Sequence, residues 1–346
     1  MKVIDWRRAL GQALTAVVLG AFALSPTQAM AQTKVKIGSS VKAIFSLPLY
    51  VAEANGYFKE EGLEVETIFF TSGPAATSAM LGGSVDFISS AFENTLKLAQ
   101  QGQPVLNILT MQADFSGALV ARKAVAEKLG RTPTVADMKG LRIGTLQRGG
   151  FADSAARYLL LDSGLNPDKD VQLIPIRGFD KHLAAGKANE IDASLMVEPW
   201  QTIAVHEVGD WQMVTNITVG EGPKVFHDIG YITLQVSPQY LSKNRPVAEK
   251  VVRALVKAQR FITDKKNLDR SVAIAGGVFP EIKPETLRKS VEAQLGTFRP
   301  EFKQEMIDNT MDLLLKNAQI SGKAPSFTTV SDPSFKPLWL VGASAK

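Results

Sequence analysis

The 346-residue chain has no cysteine and only three histidines, His182, His206 and His227, well separated along it. Without a thiol there is no disulfide, no thiolate nucleophile and no zinc–thiolate centre. A bacterial lipoprotein carries its lipid on a cysteine at the cleavage site, so a lipid-anchored form is not expected either. No Gly-x-Ser-x-Gly elbow occurs, which removes the α/β-hydrolase kind of serine nucleophile. No Lys/Arg-rich tract that tracks phosphates is present, and nucleic acid is not an expected partner. The sustained apolar run 13–24 falls well short of the ~20 residues needed to span a bilayer.

That run belongs to an address. Lys2, Arg7 and Arg8 precede it, Ser25-Pro26 ends it, and Ala29-Met30-Ala31 supplies a small-residue cleavage pattern. These are the three regions of a secretory signal peptide, 1–31, so the exported protein is expected to begin at Gln32. Cleavage leaves 346 − 31 = 315 residues, enough for two modest domains held by an ordinary core. The leader takes three of 39 basic and one of 34 acidic residues, so the net charge falls from +5 to 36 − 33 = +3. An exported protein without an anchor is retained where an outer membrane encloses it, and the Gram-negative periplasm is the expected compartment.

Strand and helix then alternate at short spacing. Segment 34–38 reads as a strand ending in Ser39-Ser40, and a helix starts near Pro48, a favoured first-turn residue, and runs to Gly62. Next come strand 63–68, a helix from Thr71-Ser72-Gly73-Pro74 to Gly82-Gly83, and strand 85–88 ending in Ser89-Ser90. A helix through Leu96 and Leu98 and strand 105–110 follow. The same syntax restarts with a short helix 134–139, strand 141–144, a helix through Tyr158 and Leu161, and strands 171–174, 191–195 and 211–214. That alternation argues for open α/β sheets. A weak echo relates 80–86 to 184–192, with two extra residues in the second copy. From about Pro246 the chain turns helical, with Val247, Val251, Leu255 and Ala258, then Met306, Met311 and Leu314, at core-facing spacing.

Several segments carry a family likeness. They are Leu49-Tyr50-Val51-Ala52-Glu53-Ala54-Asn55-Gly56-Tyr57-Phe58-Lys59-Glu60-Glu61-Gly62-Leu63-Glu64-Val65, then 83–87, 135–144 and Glu198-Pro199-Trp200. Through them, over roughly 34–265, the chain resembles the periplasmic solute-binding proteins of the nitrate, sulfonate, taurine and thiamine-precursor ABC importer group. The resemblance implies an α/β, two-lobed periplasmic binding protein fold (type II-like), with a hinge of two crossover strands and C-terminal helices. Lobe 1 would be 32–115 plus 220–346, and lobe 2 would be 116–219. The crossings are expected near 114–120 and 218–233, where Gly117, Gly220, Gly222 and Gly230 can absorb bending. A small-molecule solute, an importer permease and its ATPase are the implied partners. A monomer without cofactor, metal or catalysis is expected.

In open α/β sheets, ligands sit beyond the carboxyl ends of the strands, against helix starts with unpaired N–H groups. Ser40, Ser72, Ser90, Gln112 and the run Gln147-Arg148-Gly149-Gly150 occupy such turns. Hydroxyls there serve equally well as helix caps. Arg148, beside two glycines, is the sharpest candidate: a guanidinium grips a carboxylate or sulfonate through two parallel hydrogen bonds, so an anionic solute is expected. Phe45, Phe92, Phe151 and Phe179, with Phe115 and Trp200, are placed to sandwich a ring. Glu93 and Glu198 are candidate acceptors for an amine or heterocycle, and Glu198 also suits a helix start.

Two other readings stay open at this point. One is a receptor that senses ligand for a membrane kinase. The other is an enzyme like the eukaryotic thiamine-pyrimidine synthases, which resemble the chain distantly; that resemblance implies a cysteine-rich motif missing here. The solute itself is open among sulfonates, carboxylated aromatics, nitrogen heterocycles and inorganic anions.

Overall fold

Alternation of Lys34, Val35, Lys36 and Ile37 turns two aliphatic side chains inward and two ammonium groups to water, and the segment forms strand β1 (Thr33–Ser39). The computed structural model describes residues 32–340. The leader and its cleavage point lie outside the described residues.

After β1 come helices α1 (Leu47–Ala54) and α2 (Tyr57–Glu60), strand β2 (Leu63–Phe69), α3 (Gly73–Leu81), β3 (Phe87–Ala91), α4 (Glu93–Gln100) and β4 (Leu106–Gln112). The chain then crosses to β5 (Gly117–Arg122), α5 (Lys123–Leu129), β6 (Arg142–Thr145), α6 (Phe151–Asp162) and β7 (Gln172–Pro175). It continues through α7 (Phe179–Lys187), β8 (Ala193–Val197), α8 (Trp200–Ile203) and β9 (Trp211–Asn216), and returns as β10 (Ile232–Val236). Six helices complete the described residues: α9 (Pro238–Thr263), α10 (Leu268–Val278), α11 (Pro284–Gln294), α12 (Gln304–Lys316), α13 (Phe327–Val330) and α14 (Lys336–Leu340).

Two sequence expectations need correction. The single helix from Pro48 to Gly62 is two, because Gly56 adopts φ +74, a left-handed conformation that ends one helix and starts the next. The helical tail begins at Pro238 rather than Pro246. Ser237 caps it by accepting from the Tyr240 amide at 3.1 Å, and Pro246 follows a kink at Asn244 (φ −127, ψ 27).

The strands form two five-stranded sheets, ordered β2-β1-β3-β10-β4 and β7-β6-β8-β5-β9. In each sheet the fourth position is taken by a strand arriving from the other sheet, antiparallel to both its neighbours. The two lobes therefore share one topology, and the sequence echo falls on equivalent places. Asp86 exchanges hydrogen bonds with the Lys36 backbone: its carboxylate accepts from the amide at 2.8 Å and its own amide donates to the carbonyl at 2.9 Å. Asp192 does the same with Arg142, at 2.9 and 2.8 Å. The turns before them put Gly83 (φ +74) and Asn189 (φ +58) in the same left-handed conformation. Matched on that turn, the two copies need no inserted residues.

The two crossovers run side by side. The Phe115 amide donates to the Phe226 carbonyl at 2.9 Å, and the Gly230 amide to the Ala113 carbonyl at 2.9 Å. Arg299, between α11 and α12, ties them together through Asp114 (2.8 Å) and Asp228 (2.7 Å).

Candidate functional site

Ser40 just past β1, Ala91 at the end of β3, Leu146 and Gln147 just past β6, and Val197 at the end of β8 face one cavity between the sheets. Because β10 runs antiparallel, its first residue, Ile232, and the preceding Tyr231 reach the same place. The strand-end rule for open α/β sheets is thus met by both lobes together. The cavity, counted with its open mouth, holds about 560 Å³.

Of the residues singled out by sequence, Ser40, Phe45, Ser72, Gln147, Gly150, Phe151 and Phe179 line this cavity. Ser72 also caps α3, accepting from the Ala75 amide at 3.4 Å, so its two readings coexist. Gln147 Oε1 is buried without a partner. Ser90 lies directly behind the wall: its Oγ, also buried and unpaired, would be 3.0 Å from a Cβ on Gly73.

The other candidates stand elsewhere. Arg148 is exposed, has no ion pair among the described residues and is not part of the wall. Its neighbour Gly149 supplies the turn (φ +72), with its amide held by Asp153 Oδ2 at 3.0 Å and its carbonyl by Lys97 Nζ at 2.8 Å. Phe92 packs edge-on against Phe302, with ring centres 4.9 Å apart. Gln112 donates to Ser116, Gln294 and Thr297, each at 2.8 Å, where the first crossover meets α11. Glu198 accepts from Gln201 and Thr202 at 2.9 Å, fully enclosed beneath α8. Burial raises its carboxyl above the usual range. Glu93 is likewise enclosed and its carboxyl raised by burial; Ser154 stands 2.9 Å and Lys97 3.4 Å from its Oε2. Phe115 belongs to a ring cluster with Phe151, Phe226 and Tyr231 rather than to the wall.

Asn94 and Tyr231 are among the wall residues that sequence reading missed. Asn94 was legible in principle, one residue past Glu93 at a strand-to-helix turn. Tyr231 was not, because it precedes β10, whose uniformly buried Ile232–Val236 carries no alternation to mark it. Its ring meets Phe151 at 4.7 Å and Phe45 at 5.8 Å. The wall therefore mixes aromatic rings with neutral polar groups, with no Asp, Glu, Lys or Arg among its described residues. The first-turn amides of α6, at Phe151 and Ala152, supply its positive potential.

One pairing looks catalytic and is not. His182 Nδ1 lies 2.7 Å from Ser194 Oγ, but its Nε2 faces the Ile176 carbonyl at 2.8 Å. Both side chains are completely buried within lobe 2, beyond the reach of a substrate. Burial lowers the imidazole to about 4, so it is neutral, donating from Nε2 and accepting the serine proton on Nδ1. Among the described residues, no group of three or more His, Cys, Asp or Glu side chains is arranged for a metal. No helix among them is long and apolar enough to cross a membrane.

Comparison with known proteins agrees with this architecture. Protein YtlA of Bacillus subtilis (strain 168), named as a binding protein, is 28% identical over 290 residues, 83% of each chain. A 4-amino-5-hydroxymethyl-2-methylpyrimidine phosphate synthase of Saccharomyces cerevisiae, THI13, is 25% identical over 228 residues, and this chain spans 63% of that enzyme's length. In fold, the chain is similar to the alkanesulfonate-binding protein SsuA of Xanthomonas axonopodis pv. citri, solved with MOPS, at TM-score 0.70 and 18% identity, covering 86% of this chain and 98% of the other. A family model described as NMT1-like matches residues 28–276. That match spans most of a two-lobed chain with its cleft at the strand ends, and the protein belongs to the NMT1-like family.

Proposed function

We propose that the protein is the substrate-binding component of an ABC-type importer, exported to the periplasm, where it captures one small organic solute and presents it to the membrane permease. The observation that carries this reading is the shared wall. Phe45, Ser72 and Asn94 come from one lobe, Gln147, Phe151 and Phe179 from the other, and Tyr231 from the crossover between them. A ligand touching all of these stabilises the closed arrangement over the open one by its differential contacts. The binding-protein names of the Bacillus relative and the Xanthomonas neighbour support the same role.

The wall favours a solute with a flat or apolar body and one acceptor-rich end. The body lies against Phe151, Phe179 and Tyr231, and the acceptor end faces the α6 amides and Asn94. An anionic head suits that helix start without any help from Arg148. A non-catalytic role is supported by the binding-protein names of the Bacillus relative and the Xanthomonas neighbour.

A thermal-shift screen of alkanesulfonates, carboxylated aromatics, pyrimidines and nitrate tests the proposal. One class should raise the melting temperature in a concentration-dependent way. Small-angle scattering with that compound should show compaction, and the compound should be recovered unchanged. Its conversion to product would replace this reading with that of an enzyme related to the yeast synthase.

A further inference from the structure

Helix α6 supplies Gly150, Phe151 and Ala152 to the cavity and the opposite lobe grips it along its whole length. Ser154, Tyr158 and Asp162 recur every four residues and so share one face. Asn317 Nδ2 donates to the Ser154 carbonyl at 2.7 Å, the Tyr158 hydroxyl to Asp312 at 2.8 Å, and Lys316 to Asp162 at 2.8 Å. Asp312, Lys316 and Asn317 all lie beyond the segment matched by the family model. At the cavity end the gripping element is α4: Lys97 Nζ donates to the Gly149 carbonyl, and Glu93 Oε2 meets Ser154 Oγ.

This polar seam has one costly member. Glu93 is completely buried and its Oε1 has no partner. Ser154 Oγ stands 2.9 Å from Glu93 Oε2, 3.1 Å from the Gly150 carbonyl and 3.0 Å from Gln319 Oε1, and its single proton serves one of them at a time. Docking α6 on α4 therefore takes a carboxylate out of water with too few donors. Lys97, one turn along the same helix and still 20% exposed, is the compensating charge, 3.4 Å from Glu93. It donates at the same time to the backbone turn that the other lobe brings to the cavity.

We propose that Lys97 is a positioning residue for lobe closure: it neutralises Glu93 as α6 docks and fixes the Gly149 turn, without touching the solute. The seam of α4, α6 and α12 is then a reversible latch whose closed state depends on that one ammonium group. Its other contacts are polar and exchange with water at little cost when the lobes part. Removing Lys97 leaves Glu93 buried with no cation beside it once the lobes close, an unfavourable situation.

This inference rests on the hinged-closure reading, and the test separates the two. The chain lacks cysteine, so Lys59→Cys and Lys187→Cys, at exposed sites on opposite lobes, accept spin labels directly. Pulsed electron resonance on the ligand-free, full-length mature protein should give a short and a long distance. Lys97→Met should lower the ratio of short to long by about tenfold or more, and Glu93→Gln with Lys97→Met should restore it, because no charge is left to bury. Unchanged populations in Lys97→Met, with two distances still present, would overturn the latch and leave hinged closure standing. Loss without restoration in the double variant would overturn it too, by making Lys97 a mere packing element. One distance in every variant, unchanged when the compound from the thermal-shift screen is added, would remove the hinged-closure reading, and the latch with it.

Discussion

Acidification from pH 7 to pH 4 charges His182 in the unfolded chain long before it does so in the folded one. In the unfolded chain the imidazole titrates near 6.5; in the fold, burial lowers it to about 4, against the opposing effects of the Ile176 carbonyl and Asp180. Between those values the unfolded state binds more protons, so stability falls as pH falls. The contribution is fully present above 6.5 and is lost as pH drops through about 4. A displacement of this size is worth about 3 kcal/mol, a large fraction of a domain's net stability. Other groups are shifted in the fold as well; the carboxyls of Glu93 and Glu198, for example, are raised by burial. A variant cancels them. Urea midpoints should be measured for wild type and His182→Gln at pH 7 and pH 4. The variant starts lower at pH 7, having lost the match to Ser194 and Ile176, but it should lose about 3 kcal/mol less over the interval. Equal losses in the two proteins would refute the argument, because the imidazole would then be neither dry nor neutral in the fold.

Two substitutions, titrated with the compound identified by the thermal-shift screen, bear on the cavity. In Gly73→Ala the new Cβ would stand 2.6 Å from Asn94 Nδ2 and 3.0 Å from Ser90 Oγ, so the Asn94 amide must swing away from its place in the wall. Because that amide is the free end of a side chain, stability should barely change, while affinity should fall roughly three- to tenfold for one lost hydrogen bond; full affinity would take Asn94 out of the site. Arg148→Ala should keep its affinity within a factor of about two, as for an exposed surface group. A tenfold loss would mean that the guanidinium turns inward when solute binds.

Much of the architecture was legible because it rests on local chemistry. Alternation marked β1, and the helix breaks at Gly62, Gly82-Gly83 and Gly102 separated the elements of the first lobe. The echo ending in Asp86 and Asp192 encoded a repeated turn with the same carboxylate-to-backbone bonds in each lobe. The strand-end hydroxyls and glycines also pointed to the edge of each sheet where the cavity lies, since a parallel strand followed by a helix delivers its turn there. β5 and β10 were read only as crossings, because a strand buried on both faces carries no periodicity to recognise.

Which way a side chain points from such a turn was decided elsewhere. Arg148 and Gly150 are two residues apart, yet one faces water and the other the cavity, because the left-handed Gly149 between them reverses the chain and Lys97 from the other lobe fixes that turn. Glu93 and Glu198 read in sequence as carboxylates free to meet a ligand. Their burial comes from α6 in one case and from α8 with Gln201 and Thr202 in the other. Tyr231 enters the wall only because β10 returns to lie between β3 and β4, a pairing across more than a hundred residues of chain. Sequence by itself determined the elements, their order and the strand edge at which the cavity opens. The wall's neutral, aromatic character was set by the tertiary structure, because burial and side-chain direction depend on what distant segments bring against each turn.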